Sequence, residues 1–149
     1  MNLLQIYEPG QTPLPHENAA AIGIDLGTTH SVVAVASDEG AEVIHNIHGH
    51  ALVPSVVYYT QGGGVEVGYP AKKRYDEGQK GAIASVKRLM GRSAADIKPL
   101  LGNLPYDIAP GEGMVRLKAA GCEVTPVEVS AEILRELKRN AERALGKEV

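Results

Sequence analysis

Neither phenylalanine nor tryptophan occurs among the 149 residues, and six tyrosines are the whole aromatic complement. A folded core must therefore be built from Val, Ile, Leu, Ala and Met, without the large rings that usually dominate buried area. The single cysteine, Cys122, excludes an intrachain disulfide. With no basic residue beside it in the sequence to activate a thiolate, it reads as a buried or half-buried structural thiol. No apolar run reaches the roughly 18 residues that a membrane-spanning helix needs. The first residues lack a basic n-region followed by an apolar h-region, so a secretory leader is not expected and a cytosolic, soluble protein is. Fifteen basic against eighteen acidic side chains give a net charge of -3. That balance excludes a strong non-specific nucleic-acid or membrane-surface binder, so a phosphate-bearing partner needs a local site. Neither a Gly-x-Ser-x-Gly elbow nor a Walker loop ending in Gly-Lys-Ser/Thr is present, and no repeat or low-complexity block occurs.

What remains is the pattern of a single α/β unit. Pro9, Gly10, Pro13 and Pro15 mark an extended tail over residues 1–19. From Ala20, two β-rich runs, Ile22-Gly23-Ile24 and Ser31 to Ala36, flank a Gly/Thr turn and predict a hairpin. A third strand is expected over Ala41 to Ile44. Val53-Pro54-Ser55 leads into Val56 to Tyr59, with Pro54 suited to a strand edge or entry. After the Gly62-Gly63-Gly64 turn come a short strand at Val65 to Gly68 and a helix opened by Pro70. Ile83, Val86, Lys87 and Met90 recur at helical spacing, which predicts an amphipathic helix over residues 82–90, stopped by Gly91. Ser93 and Asp96 have the spacing of a capping box that opens a short helix towards Leu101. Met114 to Lys118 and Cys122 to Val124 predict a second hairpin. The last helix is capped by Thr125, Pro126 and Glu128 and closed by Gly146. Its expected apolar stripe is Val127, Ile133, Leu134, Leu137, Ala141, Ala144 and Leu145, which needs a sheet to cover.

Asp25-Leu26-Gly27-Thr28-Thr29 places a carboxylate, a glycine and two hydroxyls at the turn of the first hairpin. Gly27 lets the backbone approach a polyphosphate closely, and consecutive N–H groups from Gly27 to His30 can form an anion-binding nest. Asp25 can hold Mg²⁺ through its waters. A β-turn that uses Asp, Gly and Thr for ordinary turn reasons is the alternative on residue chemistry alone. Lys87 could reach a γ-phosphate and stabilise its charge as water attacks, or could simply be a solvated surface lysine. His45, His48 and His50 suggest a metal, but in a polar loop without a carboxylate or cysteine at ligand spacing they read first as loop residues.

Taken together, Ile22-Gly23-Ile24-Asp25-Leu26-Gly27-Thr28-Thr29, Leu52-Val53-Pro54-Ser55-Val56-Val57, Val67-Gly68-Tyr69-Pro70-Ala71-Lys72 and Ser85-Val86-Lys87-Arg88-Leu89-Met90-Gly91-Arg92 resemble, in order and spacing, the start of an Hsp70 ATPase domain. Leu3-Leu4-Gln5-Ile6, Glu8-Pro9-Gly10, Ser93-Ala94-Ala95-Asp96-Ile97 and Leu104-Pro105-Tyr106 are similar to one branch of that family, the HscA branch dedicated to iron–sulfur cluster assembly.

The resemblance implies the actin-like, ribonuclease-H-like fold, here only lobe I. Residues 20–56 and 125–149 would belong to subdomain IA, and residues 57–124 to subdomain IB. It implies ATP/ADP and Mg²⁺ as ligands, with Asp25 in the Mg²⁺ shell. Gly27, Thr28, Thr29 and His30 would form the phosphate loop, and Lys87 would be the catalytic group at the γ-phosphate. Relatives usually carry Asn or Tyr where this chain has His30, so its backbone N–H, rather than its imidazole, is the expected donor. The family continues past Val149 into the next IA strand. The water-ordering glutamate, the second phosphate loop, the adenosine pocket, the co-chaperone contact and the substrate-binding domain are expected beyond it. With about half of a two-lobed site, this chain alone is expected to turn over little ATP and to bind it weakly. A J-domain co-chaperone and an iron–sulfur scaffold protein are the implied partners of the parent, with neither nucleic acid nor membrane. The open IA strand edge is a template for a second copy. Two other readings stand beside this one: a sugar kinase of the same superfamily, whose members also open with an Asp-x-Gly-Thr-Thr hairpin, and a non-catalytic interaction module that keeps the fold.

Overall fold

The computed structural model describes residues 20–97, 99, 104 and 106–149. The tail over residues 1–19, the run of the second short helix towards Leu101, and Pro105 lie outside the described residues.

Strand β1 (Ile22–Asp25) pairs antiparallel with β2 (His30–Ser37), from Ile22 opposite Val35 to Asp25 opposite Val32. Strand β3 (Gly40–Val43) continues the meander on β2, and β4 (Val53–Pro54) pairs with its first two residues, His30 opposite Pro54 and Ser31 opposite Val53. In the second sheet β5 (Val56–Tyr59) lies between β6 (Val65–Val67) and β7 (Ala82–Ala84). Its side chains alternate as strand geometry requires. Val57 and Tyr59 enter the main core, while Val56 and Tyr58 pack with Ala71 and Tyr75 of helix α1 (Tyr69–Asp76). A ribbon of β8 (Leu117–Ala119) and β9 (Cys122–Val124) precedes the long last helix.

Helix α2 (Ala94–Ile97) opens on the expected reciprocal pair, Asp96 accepting from the Ser93 N–H at 2.8 Å and the Ser93 hydroxyl accepting from the Asp96 N–H at 3.3 Å. Helix α3 (Pro126–Leu145) does the same through Thr125 and Glu128, and ends at Gly146 in the left-handed region. Val129, Ile133, Leu137 and Ala141 follow one another at four-residue steps and are buried against β2, β5, β6 and the turn that carries Lys87. Each large aliphatic side chain so buried contributes about 1.5–3 kcal/mol relative to exposure. This stripe joins both sheets in one core.

Four expectations are corrected. Residues 82–90 are not a helix: Ala82, Ile83 and Ala84 form β7 beside β5, and Val86–Leu89 is a 3₁₀ turn. A strand followed directly by a turn reproduced helical spacing among Ile83, Val86 and Met90. Val127 and Leu134, 51% and 38% exposed, and the exposed Ala144 are not members of the stripe, because its phase runs from Val129. Cys122 is exposed, since only Val124 of β9, opposite Leu117, reaches the core. The strand expected over Met114 to Lys118 begins only at Leu117, and Met114 makes an isolated bridge to Ser93.

Candidate functional site

The hairpin between β1 and β2 closes over four residues, Leu26 to Thr29. A Cβ at Gly27 would lie 2.0 Å from the carbonyl oxygen of His30, so glycine is required by the close approach of two backbones. The Gly27 N–H donates inward to Ser31 Oγ at 3.2 Å. That hydroxyl is 2.9 Å from Ser55 Oγ, and both serines are buried. The Ser55 N–H in turn donates to the Thr29 carbonyl at 2.8 Å. The turn is therefore held from beneath as well as by its own ladder.

Ser55 also leads towards the lysine. It precedes Val56, which stands opposite Ala84, the last residue of β7. Ser85 then adopts φ 56°, ψ 27°, a left-handed conformation unusual for a residue with a side chain, and turns the chain into the 3₁₀ segment. Val86 and Leu89 anchor that segment in the core while Lys87 and Arg88 are exposed. The register thus brings the turn at residues 26–29 and the Lys87 segment to opposite sides of one step, Ser55 to Val56. Asp25 ends β1 and is exposed, as are Thr29 and His30, whereas Gly27 and Thr28 are half-buried. Among the described residues, Asp25 and Lys87 enter no ion pair. An exposed carboxylate beside a glycine-tight turn with two hydroxyls suits a phosphate ligand and a hydrated divalent cation.

The histidine loop is organised otherwise. Asn46 Oδ1 accepts from the N–H groups of His48 and His50, each at 2.9 Å, and the His50 ring packs against Tyr69 at a tilt of 40°, centroids 4.4 Å apart. No group of three or more His, Cys, Asp or Glu able to hold a metal occurs among the described residues. A cleft of about 1070 Å³ lies away from the turn, lined in part by Tyr58, Tyr75 and Tyr106. Burial first, and then Tyr75, pushes the Tyr106 phenol up to about 12, with Arg88 opposing. No helix among the described residues is long and apolar enough to cross a membrane.

Ser31 and Ser55 escaped the reading of motifs. Their signal was parity: Ser31 shares a strand face with Val33 and Val35, so a hydroxyl there points inward and needs a partner.

The Hsp70 protein family matches residues 21–149. A chaperone protein HscA homolog of Acidithiobacillus ferrooxidans is 53% identical over 148 residues, which cover 99% of this chain and 24% of that protein. HscA homologs of Janthinobacterium sp. and Laribacter hongkongensis are 48% and 47% identical over 149 residues, all of this chain and 24% of each relative. The chain spans about a quarter of the length of these curated relatives.

Proposed function

The chain belongs to the Hsp70 family, and from that membership we propose that it forms the first part of the ATPase domain of an iron–sulfur-cluster-assembly chaperone. The family implies an actin-like ATPase fold, with which the two sheets and their covering helices are consistent. Within it, residues 20–56 and 125–149 are assigned to subdomain IA and residues 57–124 to subdomain IB of lobe I. The whole chaperone works in the cytoplasm with a J-domain co-chaperone and an iron–sulfur scaffold protein, and couples ATP hydrolysis to client binding.

The carrying observation is the path from the Thr29 carbonyl through Ser55 and Val56 to Ala84, which sets the turn and the Lys87 segment about one junction. ATP is the substrate. Thr28, Thr29 and the His30 N–H orient its phosphates, and Gly27 acts sterically by letting the turn close. Lys87 holds its ammonium charge near the γ-phosphate, stabilising the charge that builds as water attacks. Mg²⁺ supplies charge neutralisation at the phosphates when bound. A cation held by substrate oxygens and water needs few protein ligands, so the single unpaired carboxylate of Asp25 fits it. A two-lobed site needs an opposite lobe to exclude water, so residues 20–149 by themselves are expected to turn over little ATP.

Calorimetric titration of Mg-ATP tests this reading. It compares this chain with a protein that continues it over the full length of its relatives, each with and without Asp25→Ala. Binding is expected in the extended protein, weakened at least about tenfold by Asp25→Ala. Tight binding by the short chain overturns the half-site account, and an Asp25→Ala affinity equal to the parent's removes Asp25 from the cation shell.

A further inference from the structure

We infer that the buried Ser31–Ser55 hydroxyl pair is a positioning device that couples the turn at residues 26–29 to the Lys87 segment, an inference that rests on the ATPase reading above. Ser31 is 1% exposed and Ser55 3% exposed, with Val33, Val53, Val56 and Val57 buried nearby in sequence. Alanine at either position would carry no polar demand into that interior, so the bonds the hydroxyls make are what their burial serves. Ser55 grips the turn twice, through its N–H on the Thr29 carbonyl and through its hydroxyl, by way of Ser31, to the Gly27 N–H.

On its other side the connection is covalent and then laddered. Val56 pairs with Ala84 and Val57 with Ile83, so β5 fixes where β7 ends. From that end Ser85 reverses the chain, and the Arg88 N–H donates to the Ser85 carbonyl at 3.3 Å to close the 3₁₀ segment that presents Lys87. A ligand that draws the Gly27 N–H outward must break its bond to Ser31 or carry Ser55 with it. With the pair intact, the phosphate turn and the lysine segment keep one relative placement. Without it, the Ser55 N–H still holds the Thr29 carbonyl, but the Gly27 end of the turn loses its link to Ser55 and with it the second of the two grips. Ser31 and Ser55 are thus positioning residues that act through the groups around them.

Amide hydrogen exchange on this chain is the primary test, with the Gly27 and Arg88 N–H groups as reporters. Ser31→Ala and Ser55→Ala are each expected to speed exchange about tenfold at Gly27 and at least about threefold at Arg88, with the double variant no faster than either single one. Ser31→Thr, which keeps the hydroxyl, is expected to restore both. An Arg88 rate unchanged in both alanine variants overturns the coupling, because a merely local role moves only Gly27. Should the alanine variants fail to fold, Ser31→Cys and Ser55→Cys keep the volume with a weaker hydrogen bond and are judged by the same two amides. In the full-length chaperone, the alanine variants should slow single-turnover hydrolysis about tenfold while Mg-ATP affinity stays within about threefold. If Lys87→Ala slows hydrolysis and the serine variants do not, the inference fails alone. If Lys87→Ala also leaves the rate unchanged, the ATPase reading fails, and the exchange data then judge the coupling separately.

Discussion

Gly27 shows how one residue fixes the site's shape. The atom that a Cβ would meet is the His30 carbonyl oxygen at 2.0 Å, with its carbon at 3.2 Å, and a backbone cannot swing aside as a side-chain tip can. Gly27→Ala must therefore open the turn. The expected cost is about 1–3 kcal/mol, the usual range for overpacking, read by urea denaturation, together with loss of Mg-ATP binding in the extended protein. A normal midpoint and normal binding would show that the turn tolerates a wider form. Ser85 poses the opposite case, a side chain where glycine would be at ease. At φ 56°, Ser85 already carries the left-handed penalty of about 1–2 kcal/mol that any Cβ incurs, so Ser85→Gly should hold or raise stability, whereas the β-branched Ser85→Val should lower it. Equal melting temperatures for the two variants would mean that the segment refolds around the substitution.

Among the elements, α3 depends on its first turn. The Thr125 N–H, and then the Thr125 hydroxyl, hold the Glu128 carboxyl below its ordinary 4.5. Because the folded state favours the carboxylate, this contribution is complete above the ordinary glutamate value and fades as pH falls through the lowered one. Glu128→Gln should thus lower the melting temperature at neutral pH and flatten its decline below about pH 4.5, and Thr125→Ala should cost about 1 kcal/mol. An acid slope identical to the parent's would assign the acid sensitivity elsewhere, with Asp96 in the equivalent bond to Ser93 the next group to test. This helix was legible in the sequence because its cap, its proline and its glycine stop are local chemistry. The phase of its stripe was not, since the core selects Val129 over Val127 through contacts with β2 and β5. Nor was β7: three small or aliphatic residues followed by a turn carry helical spacing, and only pairing with β5 makes them a strand. Cys122 failed for a related reason, being placed by a hairpin whose outer strand has a single core residue.

At the scale of the molecule, the turn was legible in the sequence but the path from it to β7 was not, because Thr29 with Ser55 and Val56 with Ala84 are long-range pairings. The same pairing leaves an edge. Among the described residues β1 has one strand neighbour, β2, and the outer side carries a backbone bond only just before it, from the Ala20 N–H to the Glu148 carbonyl at 3.2 Å. Gly23 and Ile24 on this strand are exposed, and a net charge of -3 repels a second copy only weakly. A strand edge with unfilled N–H and C=O groups pairs readily with its like. The chain should therefore self-associate through β1, with a weight-average mass in sedimentation velocity that rises with concentration. Gly23→Lys is the discriminating variant, since a side chain there meets nothing within 4 Å and strains no neighbour. It places a charge on the edge and should weaken association at least about tenfold. A mass that stays monomeric at every concentration would show the edge already satisfied within one copy. Association untouched by Gly23→Lys would move the contact to another face, for which the exposed Met114 and Val127 beside the start of α3 are apolar candidates.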